Sequence, residues 1–216
     1  MRFLTSAHLQ FLFEGVLWTI GLSLLAFLGG GLLGFLVALG TSYGPRWSRW
    51  MVSLYVKLIQ GTPLLVLLPL TYFGLPALGF NVPPLVAAAL ALSIYVSAYL
   101  GEIWRGCIES VPRTQAEAAE CLALRWHQRV IHVILPQAVK IATPPTVGFM
   151  VQIVKNTSLA SSIGFVELAR AGQIINNSTF EPFVIFVIVA ALYFALCYPL
   201  SVLSRRLERS FHVAHR

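Results

Sequence analysis

The chain has 216 residues, 57% of them hydrophobic and only 11% charged, whereas about a quarter are charged in an ordinary soluble domain. It contains no aspartate, and its uncharged stretches run from Gly15 to Pro45, Leu58 to Gly101 and Pro182 to Ser204, each longer than the roughly 20 residues that cross a bilayer as helix. These features exclude a disordered chain, a disulfide scaffold and a soluble α/β enzyme, and they make the net charge of +7 a statement about membrane orientation rather than about nucleic acid.

Residues 1–14 form a short segment outside the bilayer. The first apolar stretch predicts a helix over 15–39, retained in the mature protein because it exceeds the roughly 7–15 residues of a signal-peptide core. Its Gly30-x-x-x-Gly34 pair suits close helix packing. A basic turn with interfacial tryptophans follows, from Tyr43 through Arg46, Trp47 and Arg49 to Trp50. The next apolar stretch is too long for one helix and breaks at the turn-forming Gly74–Pro84 segment, with Pro76, Gly79, Asn81, Pro83 and Pro84. Helices are therefore expected over 52–75 and 84–102, and Gln60-Gly61-Thr62-Pro63 either interrupts the first of them or precedes it.

A polar loop from Glu102 to Lys140 comes next. The fourth helix, over 144–165, is the least apolar because it holds Lys155, Asn156, Thr157 and Ser158. The fifth, over 182–204, ends in Arg205-Arg206-Leu207-Glu208-Arg209, and 207–216 is a cytoplasmic tail. The fold class is an all-α membrane protein with five transmembrane helices. Eleven basic residues fall on one side of this topology (Arg46, Arg49, Arg105, Arg113, Arg125, Arg129, Lys140, Arg205, Arg206, Arg209 and Arg216), and only Arg2 and Arg170 on the other. The positive-inside tendency puts the N-terminus outside and the C-terminus inside.

Within the polar loop, Thr114-Gln115-Ala116-Glu117 has the pattern of a capping box, in which Thr114 caps a short helix and Glu117 returns the bond. A second helical segment, Trp126 to Ile134, meets Pro136, which breaks a continuing helix or opens a new one. Composition leaves two readings of this loop, a docking element for a soluble partner or an amphipathic segment lying on lipid.

The spacing Glu117-Ala118-Ala119, three residues, Ala123, nine residues, Val133-Ile134-Leu135-Pro136 resembles the EAA loop of ATP-binding-cassette importer permeases. That loop reads Glu-Ala-Ala, three residues, Gly, nine residues, Ile-x-Leu-Pro. Gln60-Gly61-Thr62-Pro63, Ser97-Ala98-Tyr99 with Glu102 and Arg105-Gly106, Leu135-Pro136-Gln137-Ala138, and Lys155-Asn156-Thr157-Ser158-Leu159 look like the subfamily that imports polar amino acids. Each motif is weak alone, but together and in order they are specific, and they cover nearly the whole chain. Ala123 departs from the loop glycine, Arg113-Thr114 from a common Lys-Gly, and Gly148 from a frequent Asn.

The resemblance implies a type I transmembrane domain over 15–206, with a coupling loop over 113–136, in a bacterial cytoplasmic (inner) membrane. It implies a permease dimer, identical or paralogous, two ATPase subunits inside and an extracytoplasmic solute-binding protein outside. No Gly-x-x-x-x-Gly-Lys-[Ser/Thr] phosphate loop occurs in the sequence, so ATP and Mg belong to the partner ATPase and this chain is expected to bind no cofactor. Glu117, Ala118, Ala119, Ala123, Leu135 and Pro136 are the candidate coupling residues, Glu117 being a cap, a polar contact to the ATPase, or both. Lys155, Asn156, Thr157, Ser158, Gln60, Thr62 and Glu102 are candidates for the solute path or its gate. For Lys155 the bland alternative is a contact to backbone carbonyls at a broken helix, and for Glu102 a simple ion pair with Arg105 three residues on.

No catalytic or metal site is expected, since His8, His127, His132, His212 and His215 lie in terminal or loop segments and Cys107, Cys121 and Cys197 lack ligand spacing. A rival reading from another class is an intramembrane enzyme built on a Ser–Lys dyad, with Lys155 and Ser158 as the pair.

Overall fold

A computed structural model describes residues 5–213, and Arg2, His215 and Arg216 lie outside the described residues. Every regular element among the described residues is helical: α1 (Ser6–Tyr43), α2 (Arg46–Gly61), α3 (Leu64–Ala77), α4 (Pro84–Glu109), α5 (Arg113–Cys121), α6 (Trp126–Arg129), α7 (Leu135–Asn156), α8 (Leu168–Thr179) and α9 (Pro182–Val213). A π turn (Val130–Ile134) joins α6 to α7, and a 3-10 segment (Thr157–Ile163) extends α7.

Among the described residues three helices are long and apolar enough to cross a membrane: α1, α4 and the Pro182–Ser210 portion of α9. A fourth span is available if α2 and α3 count as one broken element, bent by 105°. Lipid offers no water to satisfy stray backbone groups, so helices are the fitting choice for such apolar stretches. The surface is inverted relative to a soluble protein, with Leu28, Leu32, Phe183 and Phe194 all exposed.

Small residues hold the interior together. α1 lies along α4, and a β-carbon on Gly34 would sit 3.1 Å from the carbonyl of Ser97 and 3.2 Å from the nitrogen of Gly101. One added at Gly30 would meet Val96 at 2.5 Å, so the Gly-x-x-x-Gly pair works as a packing seam. Around it Leu22, Ala26, Leu68, Ala91, Leu92 and Leu100 form the main core. A second cluster (Leu12, Leu168, Ala171, Ile175, Ile185) joins α1, α8 and α9. A third (Ala38, Ile108, Val111, Ala138) gathers α1, α4 and α7 beneath the polar loop.

Several expected boundaries move, each for a local reason. α1 starts at Ser6 rather than Gly15, and the backbone N–H of Thr5 donates to Nδ1 of His8 at 3.3 Å. The helix expected over 52–75 is two helices, because Pro63 forces Thr62 into an extended conformation (φ −102°, ψ 125°). α4 runs on to Glu109, and the fifth helix runs to Val213 rather than Ser204. The fourth begins at Leu135 rather than Pro144, since Pro136 occupies its first turn, where the missing N–H costs nothing. Pro144 and Pro145 lie inside that helix. The Pro144 carbonyl still marks a level, because it accepts from the hydroxyl of Ser204 at 2.9 Å, one residue before the basic run of α9.

The capping box is not formed. α5 opens at Arg113 behind Pro112, without a side-chain cap, and the Pro112 carbonyl already accepts from the N–H of Gln115 at 3.0 Å. Thr114 therefore sits in the first turn, and Glu117 has nothing to return to.

Candidate functional site

The polar loop is a hook made of α5, a turn and α6. The two arms are clamped by Arg129, whose guanidinium donates to Glu120 at 2.6 Å, and Tyr43 of α1 supports the hook edge-on against Trp126 at 5.5 Å. The turn depends on Ala123, which has φ +55°. This left-handed conformation is one that glycine adopts freely and alanine does not. It lets the N–H of Leu124 reach the carbonyl of Ala119 at 3.2 Å. Ala119 is buried in the hook, while Glu117, Ala118, Cys121 and Leu122 are exposed on its outside. Leu135 is half-buried in the cluster below, and Pro136 is exposed where α7 begins.

A second feature is a polar cavity of about 410 Å³ between α2, α4 and the end of α1. α2 is two-faced: Trp47, Trp50, Met51, Leu54 and Leu58 are exposed along one side, while Arg49, Ser53, Lys57 and Gln60 line the cavity from the other. From α4 come Glu102, Arg105 and Glu109, and from α1 Thr41. Arg105 donates from Nε to Glu102 at 3.0 Å and bridges onward to Glu109. The i,i+3 pair expected of Glu102 is present, and it sits inside the cavity. Gln60 reaches the Ala98 carbonyl at 3.4 Å, so two of the predicted path residues, on separate helices, share one space. Thr62 instead closes α2, its hydroxyl donating to Leu58 at 2.8 Å.

α4 and α7 also share an aromatic step: Tyr95 and Tyr99 have ring centroids 4.5 Å apart, and Tyr99 stacks on Phe149 at 5.7 Å. Gln152 lies just beyond on α7 and donates to Oδ1 of Asn156 at 3.0 Å. Asn156 and Thr157 are buried, and Thr157 spends its hydroxyl on the Val154 carbonyl at 2.8 Å. Lys155 is exposed, on the side of Cys197 in α9. The hydroxyl of Ser158 donates to the carbonyl of Lys155 at 2.7 Å rather than to its amine, so the geometry gives no support to a Ser–Lys dyad. No group of three or more potential metal ligands occurs among the described residues.

Three residues of consequence lay outside the sequence expectations. Arg49 counted there only as charge and Lys57 not at all, although the spacing Arg49, Ser53, Lys57, Gln60 opposite Trp47, Trp50, Leu54, Leu58 marks a polar helix face. Glu167 is the third. It is fully buried, caps α8 by accepting from the N–H groups of Ala169 (2.8 Å) and Arg170 (2.9 Å), and accepts the hydroxyl of Tyr193 at 2.6 Å. Only its place just before the Leu168–Thr179 helix signalled it.

Comparison with known proteins gives a consistent picture. Residues 30–213 match the family described as binding-protein-dependent transport system inner membrane component. The L-cystine transport system permease protein TcyB of Bacillus subtilis is 38% identical over 200 residues, covering 90% of this chain and 86% of that protein. The glutamine transport system permease protein GlnP of Escherichia coli is 33% identical over 205 residues, covering 94% and 93%. A solved amino acid ABC transporter, crystallised with histidines, superposes with a TM-score of 0.88 at 35% identity, covering 94% and 95%. The inward-facing methionine transporter MetNI shares the fold at a TM-score of 0.75 and 19% identity, covering 96% and 99%.

Proposed function

Because the chain belongs to the family of binding-protein-dependent transport system inner membrane components, we propose that it carries polar amino acids across the bacterial cytoplasmic membrane. The chain is a transport subunit of an ABC importer and not itself an enzyme. In this reading α1, the α2–α3 pair, α4, α7 and α9 are five crossings, with the N-terminus outside and the C-terminus inside. Two permease chains, identical or paralogous, enclose the path. An ATPase homodimer holding ATP and Mg grips the exposed face of the hook at Glu117 and Ala118, and a solute-binding protein delivers from outside.

The observation that carries the reading is the polar cavity in which Gln60 and Glu102, from different helices, meet. A polar face inside a membrane is costly unless it borders water or solute, and this one is shared by α1, α2 and α4. Closure of the ATPases draws the two hooks together and switches the dimer between inward- and outward-facing states by rigid-body motion. Solutes of the kind named for the relatives, L-glutamine and L-cystine, are small, polar and rich in hydrogen-bonding groups, as the cavity is.

The test is uptake by proteoliposomes containing the assembled importer with its ATPase and binding protein. Labelled L-glutamine or L-cystine accumulating only with ATP inside the ATPase compartment supports the reading. ATP hydrolysis with no accumulation of any amino acid contradicts it.

A further inference from the structure

The proposed function leaves unexplained why two of the cations lining the cavity have no direct ion pair and why the lining, with Arg49, Lys57 and Arg105 against Glu102 and Glu109, is net positive. Glu102 and Glu109 both hold Arg105, so both carboxylates of the cavity are engaged. Arg49 and Lys57 line the same space and have no ion-pair partner among the described residues. They stand two helical turns apart on one face of α2, about 12 Å along the axis, with Ser53 midway. The amide of Gln60 closes the row, and the opposite face of α2 is apolar and exposed. The helix thus directs two of its three unpaired cations into one pocket, Arg46 at its first residue lying outside the lining.

Resting on the amino acid reading above, we propose that this pocket is an oxyanion station for the transported solute: Arg49 and Lys57 bind the α-carboxylate of the amino acid at the cytosolic end of the path. The net positive charge here repels an ammonium or guanidinium side chain on the solute, leaves a neutral one unaffected and attracts an acidic one. The pocket therefore favours neutral and acidic amino acids over dibasic ones. A lipid phosphodiester presents similar oxyanion chemistry. The solute is the better occupant because the row ends in Gln60 of α2, facing Glu102 of α4, rather than at the apolar face where acyl chains would lie.

The experiment measures equilibrium binding of labelled L-glutamine and L-cystine to the assembled permease–ATPase complex in nanodiscs, without binding protein and without nucleotide. In phosphatidylcholine discs the wild-type complex binds at least one of the two, and L-glutaminamide, which lacks the α-carboxylate, competes about tenfold or more weakly than L-glutamine, in line with loss of a charge-assisted hydrogen bond. The double variant Arg49→Gln/Lys57→Gln loses affinity by at least about tenfold. Arg206→Gln, which removes the same charge from the end of α9, leaves affinity unchanged, and Lys57→Arg retains binding.

Undiminished affinity in the double variant, or equal competition by the amide, overturns the inference. So does loss of glutamine binding when phosphatidylglycerol replaces part of the phosphatidylcholine, which assigns the pocket to a lipid headgroup. An assembly that still imports amino acids with ATP while showing any of these results refutes only the station. An assembly that imports none refutes the function on which the station rests.

Discussion

The hydroxyl of Tyr193 in α9 donates to the carboxylate of Glu167 at 2.6 Å, and that carboxylate also receives the first N–H groups of α8. One buried side chain thereby ties the start of α8 to the middle of α9. The neighbouring N–H of Leu168 donates to Thr19 of α1 at 3.2 Å and brings in a third element. Replacing Glu167 with Ala removes a helix cap, worth about 1 kcal/mol, and takes from the Tyr193 hydroxyl its charged acceptor, worth a further 1–3 kcal/mol or so. Glu167→Ala should lower the thermal midpoint of the purified permease more than Tyr193→Phe does. An equal or smaller effect would contradict the role of Glu167 as the common acceptor.

Ala123 carries strain that glycine would relieve. At φ +55° its β-carbon costs roughly 1–2 kcal/mol, partly offset by the greater unfolded-state freedom of glycine. Ala123→Gly should therefore slow hydrogen exchange at Leu124, whose N–H closes the turn, by a factor corresponding to about 1 kcal/mol. Faster exchange there would mean that the alanine is not strained.

Two adjacent alanines of the hook should respond in opposite ways. Ala118 is exposed and Ala119 is buried. Ala118→Trp should leave the thermal midpoint of the permease unchanged while abolishing co-purification of the ATPase. Ala119→Leu should destabilise the permease itself by about 1–3 kcal/mol through overpacking. Normal ATPase retention by Ala118→Trp would remove the exposed face from the docking surface.

Lys155 stands eleven residues beyond Pro144, about 16 Å along a helix, exposed beside α9 with no carboxylate partner among the described residues. An unpaired ammonium at that depth faces a wet cavity or a second chain. Lys155→Met should reduce uptake several-fold in proteoliposomes with an unchanged yield of assembled complex. Loss of assembly together with uptake would make Lys155 a packing residue.

The parts of the fold that were legible in the sequence are those set by local rules. The Gly30/Gly34 seam, the Glu102–Arg105 pair and the turn around Gly79 follow from spacing alone, and the hook was recognisable from the Glu117-to-Pro136 pattern. Positions decided by tertiary partners were harder to see. Pro144 and Pro145 look like a helix start, yet α9 packs alongside, Ser204 takes the Pro144 carbonyl, and the helix runs through them. Thr114 satisfies a capping pattern that Pro112 makes redundant. Glu167 reads as one more charge near a turn, because its decisive partner, Tyr193, is 26 residues away. Arg49 served as a topology marker and Lys57 went unread, since only the placement of α2 against α4 turns their shared face into a pocket wall.

The central claim is that the hook is held by a separate ATPase, and the chain carries a natural probe for it. Cys121 is exposed at the end of α5, whereas Cys107 and Cys197 are buried. A short thiol-to-amine cross-linker attached at Cys121 in the assembled, ATP-hydrolysing importer should capture the ATPase subunit, and Cys121→Ser should abolish the capture. An active importer in which Cys121 and a cysteine introduced by Glu117→Cys both fail to cross-link to the ATPase would contradict the account.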